Sequence, residues 1–239
     1  MSEKRLNKSL VRYDDLDSHL PCSNRTAVVV SDSKGSYLRR CIRSRIERSI
    51  VWLGEAGLKS KGGIDLLKAN LNELKSKYGL LSVYIFLGTC DLTTKTGDFI
   101  TLNDSHESDS AHLIHRYEQL VSFAQEKNFE ITFLEIPIYS IKEWNRYHGD
   151  PCPELFRDQD NKLHNSLKII NDEIERINFT LGKQSPKFSL DLERSRKPSG
   201  KSERKYYNFL LLKDGIHPNP LLSRLWLRRI VALIRQECY

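Results

Sequence analysis

Five short apolar runs, separated by segments of helical periodicity, constrain the folding of this chain more than any other feature. The first, Thr26-Ala-Val-Val-Val30, is rich in β-branched residues and ends in the turn-like Ser31-Asp-Ser-Lys-Gly35. Similar runs cover residues 50–53, stopped by Gly54; 80–87, leading into Gly88-Thr-Cys-Asp91; and 131–136, stopped by Pro137. A fifth short strand is expected over residues 187–190. Between the runs, a basic helix is expected over residues 37–49. Apolar residues then recur at steps of three and four, first at Ile64, Leu67, Leu71, Leu74 and Tyr78 and next at Leu113, Tyr117, Leu120, Val121 and Ala124. The same spacing returns at Leu163, Leu167, Ile170, Ile174 and Ile177, and in a last helix from Pro218 that turns Leu222, Leu225, Trp226, Ile230 and Leu233 inward.

Strands that alternate with helices form parallel sheets, because the chain needs a helical crossover to return to the same sheet edge. The expected fold class is therefore α/β, a three-layer α/β/α sandwich around a central parallel sheet of about five strands. Ligands bind such sheets beyond the carboxyl ends of the strands, so the loops that begin at Ser31, Gly54, Gly88, Pro137 and Asp191 should share one face. Residues 93–110 and 191–205, rich in polar and charged side chains, read as mobile loops. With 239 residues the chain is long enough for one full core. Residues 25–239 are read as a single domain behind a polar leader, residues 1–24.

The composition excludes several classes. Charged residues make up 29% and no apolar stretch approaches the length of a membrane span, so no membrane partner is expected. The first eighteen residues lack the apolar centre of a secretory signal, and an intracellular, cytoplasmic location is expected. Five scattered cysteines, Cys22, Cys41, Cys90, Cys152 and Cys238, have neither the pairing of a disulfide framework nor the spacing of a zinc site. His112 and His115 share a helical face without a third ligand, so no metal and no cofactor are expected. The net charge of +7 would draw acidic ligands toward the surface.

Ser33 stands between a buried strand and a helix, where its hydroxyl would be exposed beside helix N-terminal amides. Taken alone, Ser31, Asp32 and Ser33 read equally as helix caps. The complementary segment is Asp214-Gly-Ile-His217-Pro218, just before the last helix, where an imidazole can point back across the sheet edge and a carboxylate three residues earlier can orient it.

Together these segments resemble the SGNH (GDSL-type) hydrolases, a superfamily of flavodoxin-like architecture. Its first block, Gly-Asp-Ser, is matched by Ser31-Asp32-Ser33 followed by Leu38. Its glycine of block two is best matched by Gly57, its Gly-x-Asn-Asp by Gly88-Thr89-Cys90-Asp91, and its Asp-x-x-His by Asp214-Gly-Ile-His217. The resemblance implies acyl-ester hydrolysis with Ser33 as nucleophile, His217 as base and Asp214 as orienter. It further implies an oxyanion hole built from Ser33, Gly57 and the position of Cys90, where the family carries asparagine. A thiol is a weak donor, so the missing amide would lower the rate by roughly a hundred- to a thousandfold unless replaced. Asp32, Lys34, Thr89 and Asp91 are expected to line the pocket with Trp144 and Asn145, Asn145 being a candidate replacement donor and Trp144 a lid. Ser31, in place of the block's glycine, is a second departure, expected to alter the turn presenting Ser33.

The expected partner is a small ester or acetylated substrate. SGNH-like domains also occur in proteins encoded by transposable elements, and the chain resembles an invertebrate relative of that kind. The alternative function is therefore a catalytically reduced binding module with a basic surface that contacts nucleic acid. Arg224, Arg228 and Arg235 would line one face of the last helix, with Arg194, Arg196, Lys197, Lys201, Arg204 and Lys205 crowding the loop before it.

Overall fold

The computed structural model describes residues 2–13, 22–196 and 204–239. In chain order the elements are α1 (Glu3–Val11), β1 (Thr26–Ser31), α2 (Ser33–Arg39), α3 (Arg45–Ser49), β2 (Val51–Leu53), α4 (Ser60–Tyr78), β3 (Leu81–Phe86), β4 (Thr93–Thr96) and β5 (Phe99–Leu102). They continue with α5 (His106–Glu126), β6 (Glu130–Phe133), α6 (Ile141–Tyr147), α7 (Arg157–Thr180), α8 (Ser189–Leu192), β7 (Glu193–Arg196), β8 (Arg204–Tyr207) and α9 (Pro220–Cys238).

Among the described residues the central sheet has four parallel strands in the order β2-β1-β3-β6. Val28 pairs with Val51 on one side and Val83 on the other, so β1 lies between its successors. The chain thus leaves β1 in one direction for β2 and returns past it for β3. Open α/β sheets bind ligands at such a reversal, and here it falls at the carboxyl end of β1, immediately before Ser33.

Alternation along the strands feeds two helical layers. Tyr84 donates its hydroxyl to Glu237 of α9 at 2.8 Å, and Phe86 meets Phe188, which in turn meets Trp226 of α9. On the other face, Tyr117 of α5 packs on Phe133 with ring centroids 4.6 Å apart, and Leu67 of α4 and Leu167 of α7 are fully buried. Helix α1 lies against α9, with Leu6 fully buried.

No fifth strand forms over residues 187–190; Phe188 is buried in the core and α8 begins at Ser189. The reason lies along the outer edge of β6 and its extension. Asn178 accepts from Phe133 N–H at 3.0 Å and donates to the same residue's carbonyl at 2.7 Å. Asn171 makes the same two bonds to Ile136, both at 2.9 Å. Ser185 and Ser189 accept from the N–H groups of Glu135 and Ile138. Side chains therefore satisfy the backbone groups that another strand would have used.

Three further expectations are corrected. The helix expected over residues 37–49 is broken into α2 and α3 because Ser44 and Glu47 form a capping box that starts a new helix. Residues 93–110 are not a loop: Thr93 pairs with Leu102 in the β4–β5 hairpin, and α5 starts at His106. Likewise residues 191–205 contain β7 and the start of β8, which pair with Glu193 opposite Tyr207, while the segment 197–203, with Lys197 and Lys201, lies outside the described residues.

Gly54, directly after β2, is where two backbones approach most closely. Its φ is +120°, and a Cβ there would lie 1.9 Å from the Ser31 carbonyl oxygen. We expect Gly54→Ala to cost about 2 kcal/mol or more, since both backbone conformation and space exclude the methyl group. Urea unfolding checks this, and an unchanged midpoint would refute it.

Candidate active site

Ser33 is the first residue of α2, and its local geometry follows from its neighbours. Asp32 caps the helix by accepting from Lys34 N–H at 2.9 Å. Ser31 fits its position because residue 35 is glycine. Its hydroxyl accepts from Gly35 N–H at 3.0 Å, and a Cβ on Gly35 would lie 2.8 Å from the Ser31 Cβ. The serine that departs from the block pattern thus has a compensating glycine one turn later.

The other half of the site is carried on the turn before α9. Asp214 Oδ1 accepts from the backbone N–H groups of Ile216 at 3.1 Å and His217 at 2.8 Å. Gly215, at φ +89°, passes so close to α6 that a Cβ would lie 2.6 Å from Trp144 N, and its carbonyl accepts from Ser140 N–H at 3.0 Å. This contact docks the turn against α6. Asp214 Oδ2 is then 2.8 Å from His217 Nδ1, and His217 Nε2 is 2.8 Å from Ser33 Oγ. Residues 184 positions apart in sequence are thereby joined in one hydrogen-bonded line. Burial opposes the Asp214 charge, but bonds from the His217 side chain and backbone outweigh it and hold the carboxyl below its usual range. An ionised Asp214 favours the tautomer with the proton on Nδ1, leaving Nε2 to accept from Ser33.

The segment from Gly88 to Asp91 closes the other side. Lys34, only 2% exposed, pairs with Asp32 at 2.5 Å and donates to Thr89 Oγ1. Tyr139 donates to the Thr89 carbonyl at 2.8 Å. The residue before Cys90 is therefore fixed from two directions. Burial, followed by the Asp32 charge, pushes the Cys90 thiol up to about 11, so it carries its proton at neutral pH. Gly57 adopts φ +77°, and a Cβ there would meet nothing within 4 Å.

Two of the expected pocket residues serve the scaffold. Asp91 accepts from Ser60 N–H at 2.9 Å and Ser60 Oγ at 2.6 Å and receives Arg116 at 3.3 Å, so it caps α4. Asn145 is fully buried and makes both of its amide bonds, each 2.9 Å, to the backbone of Ile100. Its amide is consumed holding the β4–β5 hairpin and is not free to act as the replacement donor expected of it. Trp144 donates to the Asp98 carbonyl at 2.9 Å, stacks on His148, and lies 5.8 Å from the His217 ring. The sequence reading missed Tyr37, whose ring stacks on His217 at 4.6 Å and 15°. Its signal was present: Tyr37 is four residues after Ser33, on the same face of α2.

The arginines read as a basic stripe on α9 turn largely inward. Arg224 and Arg228 share Glu47 at 2.5 and 3.0 Å, and Arg228 is 3% exposed.

The parallel sheet and its flanking helical layers are those of the SGNH (GDSL-type) hydrolase fold. A GDSL-like lipase from Bacteroides thetaiotaomicron is similar, with a TM-score of 0.57 and 16% identity over 99% of this chain and 96% of its own. A lipase/acylhydrolase from Enterococcus faecalis gives a TM-score of 0.50 at 14% identity, over 90% of this chain and 97% of the other. The acetyl xylan esterase AlAXEase gives 0.51 at 13%, over 86% and 98%. These likenesses are of fold. No protein-family model matches the sequence, and no curated protein matches it.

Proposed function

We propose that the chain is a serine ester hydrolase of SGNH type that acts on a small ester or acetylated substrate. The observation that carries this reading is the line Asp214–His217–Ser33, with both side-chain links at 2.8 Å. Such a line activates a serine hydroxyl as the nucleophile of acyl transfer. His217 Nε2 takes the Ser33 proton as Oγ attacks the ester carbonyl carbon. The resulting oxyanion is held by the backbone N–H groups of Ser33 and Gly57. As the tetrahedral adduct collapses, the C–O bond to the alcohol breaks and His217 returns the proton to the departing oxygen. Water, deprotonated by His217, then attacks the acyl-serine; the acid leaves and Ser33 recovers its proton. Esterases and acylhydrolases among the proteins of similar fold support the same reaction class. Among the described residues no helix is long and apolar enough to cross a membrane.

A protonated Cys90 does not repel the oxyanion, but its S–H is a weak donor where an amide would be strong. Hydrolysis of short-chain aryl esters by the purified protein tests the reading, with Cys90→Asn beside it. Measurable turnover is expected, increasing by about a hundredfold in Cys90→Asn, the lower end of what one oxyanion donor contributes. No turnover in either protein would overturn the ester-hydrolase reading.

A further inference from the structure

The ester-hydrolase reading fixes which side of the site the alcohol half of a substrate must occupy. His217 Nε2 has to reprotonate the departing oxygen, so the alcohol leaves alongside the imidazole. Two aromatic rings flank that ring: Tyr37, stacked at 4.6 Å, and Trp144, centred 5.8 Å away. A cation stands over each of them. The Arg40 guanidinium carbon is 5.1 Å from the Tyr37 centroid, and Lys95 Nζ is 5.9 Å from that of Trp144. Attraction to the ring faces keeps both cations beside the aromatic row instead of extended into solvent.

Among the described residues neither Arg40 nor Lys95 has an ion-pair partner. Asp214 is engaged with His217, Asp32 with Lys34, and Glu143 with Arg146 at 2.5 Å and Lys142 at 3.8 Å, while Asp98, exposed on the same hairpin as Lys95, forms no ion pair with it. We propose that the site selects esters whose alcohol half carries a negative charge, with Arg40 and Lys95 as the specificity-determining cations. The inference rests on the ester-hydrolase reading for the direction of the alcohol and on the two cations for its charge. Because both cations are exposed, the selection is a matter of several-fold and weakens as salt screens it.

The test compares para-acetoxybenzoate with its neutral methyl ester, each enzymatic rate divided by that ester's own rate of alkaline hydrolysis. At low salt the normalised ratio is expected to favour the anion by about fivefold or more, as two exposed cations allow. It should fall toward parity in Arg40→Gln/Lys95→Gln and in about 0.5 M sodium chloride. Lys77→Gln, in the last turn of α4 and at the far end from Ser60, should leave the ratio where it was. Equal normalised rates in the unaltered protein, or the same ratio in the double variant, would overturn the proposal. If neither ester is hydrolysed, the hydrolase reading falls and binding decides the rest. In the Ser33→Ala background, tryptophan fluorescence should report para-hydroxybenzoate binding that weakens several-fold with Arg40→Gln/Lys95→Gln. Absent binding, or an unchanged Kd, would dispose of the charge preference as well.

Discussion

Ser33→Ala is expected to lower ester turnover by at least about ten-thousandfold while leaving the fold intact, because members of such a line act as a unit. The hydroxyl is the only atom removed, and its hydrogen-bond partner His217 stays held by Asp214 and stacked on Tyr37. Stability should therefore hardly change, and the thermal midpoint of the variant serves as the control. A fluorophosphonate probe adds a readout independent of substrate choice: it should phosphonylate Ser33 in the unaltered protein and leave Ser33→Ala unlabelled. Labelling elsewhere, or equal turnover by both proteins, would remove Ser33 from the reaction.

A second large effect is expected far from the reacting atoms. Glu47 is fully buried; one carboxylate oxygen accepts from the N–H groups of Arg43 at 2.6 Å and Ser44 at 2.9 Å, the other from Arg224 and Arg228. One side chain thus ties the start of α3 to the middle of α9. Glu47→Ala removes the carboxylate the two guanidinium groups share, and loss of one member of a buried ion pair costs about 3–5 kcal/mol. Urea unfolding measures this loss, and a difference under about 1 kcal/mol would show that the cluster is not holding α9. The pH dependence has a definite sign. Burial opposes the Glu47 charge, but the N–H groups of Ser44 and Arg43 and the Arg228 guanidinium outweigh it and depress the carboxyl. A depressed carboxyl stabilises the fold above its unfolded pKa, and that contribution is lost as pH falls through the folded value. The gap between the unaltered protein and Glu47→Gln should therefore narrow below about pH 4.

Which parts of this architecture were legible in the sequence depends on what holds them. Strands β1 and β3 carry their own pattern, since both faces are buried and every residue from Ala27 to Ser31 and from Leu81 to Phe86 is covered. That Ser33, Asp214 and His217 meet was legible only when their segments were read together, since Ser33 taken alone reads as a helix cap. Residues 187–190 misled because Phe188 is as apolar as a strand residue, while the groups that displace a fifth strand, Asn171, Asn178, Ser185 and Ser189, have no pattern that announces an edge. Asn145 misled in the same way: a lone amide in α6 does not reveal from sequence that Ile100 occupies it. The basic stripe on α9 was misread because its partner, Glu47, lies 177 residues before Arg224. The Thr-rich segment that became the β4–β5 hairpin did carry a signal, Gly97-Asp98 between β-branched runs, with Gly97 at φ +61°.

The two-bond asparagine contacts along β6 also bear on how the molecule meets its own copies. A parallel sheet whose last strand offered free N–H and carbonyl groups would be a template onto which another chain could add, the usual origin of edge-to-edge aggregation. Here Asn178 and Asn171 imitate a neighbouring strand at Phe133 and Ile136, each with one donor and one acceptor. They end the sheet with short groups that cannot themselves be extended. At Phe133 and Ile136 the groups that an added strand would need are thereby already taken.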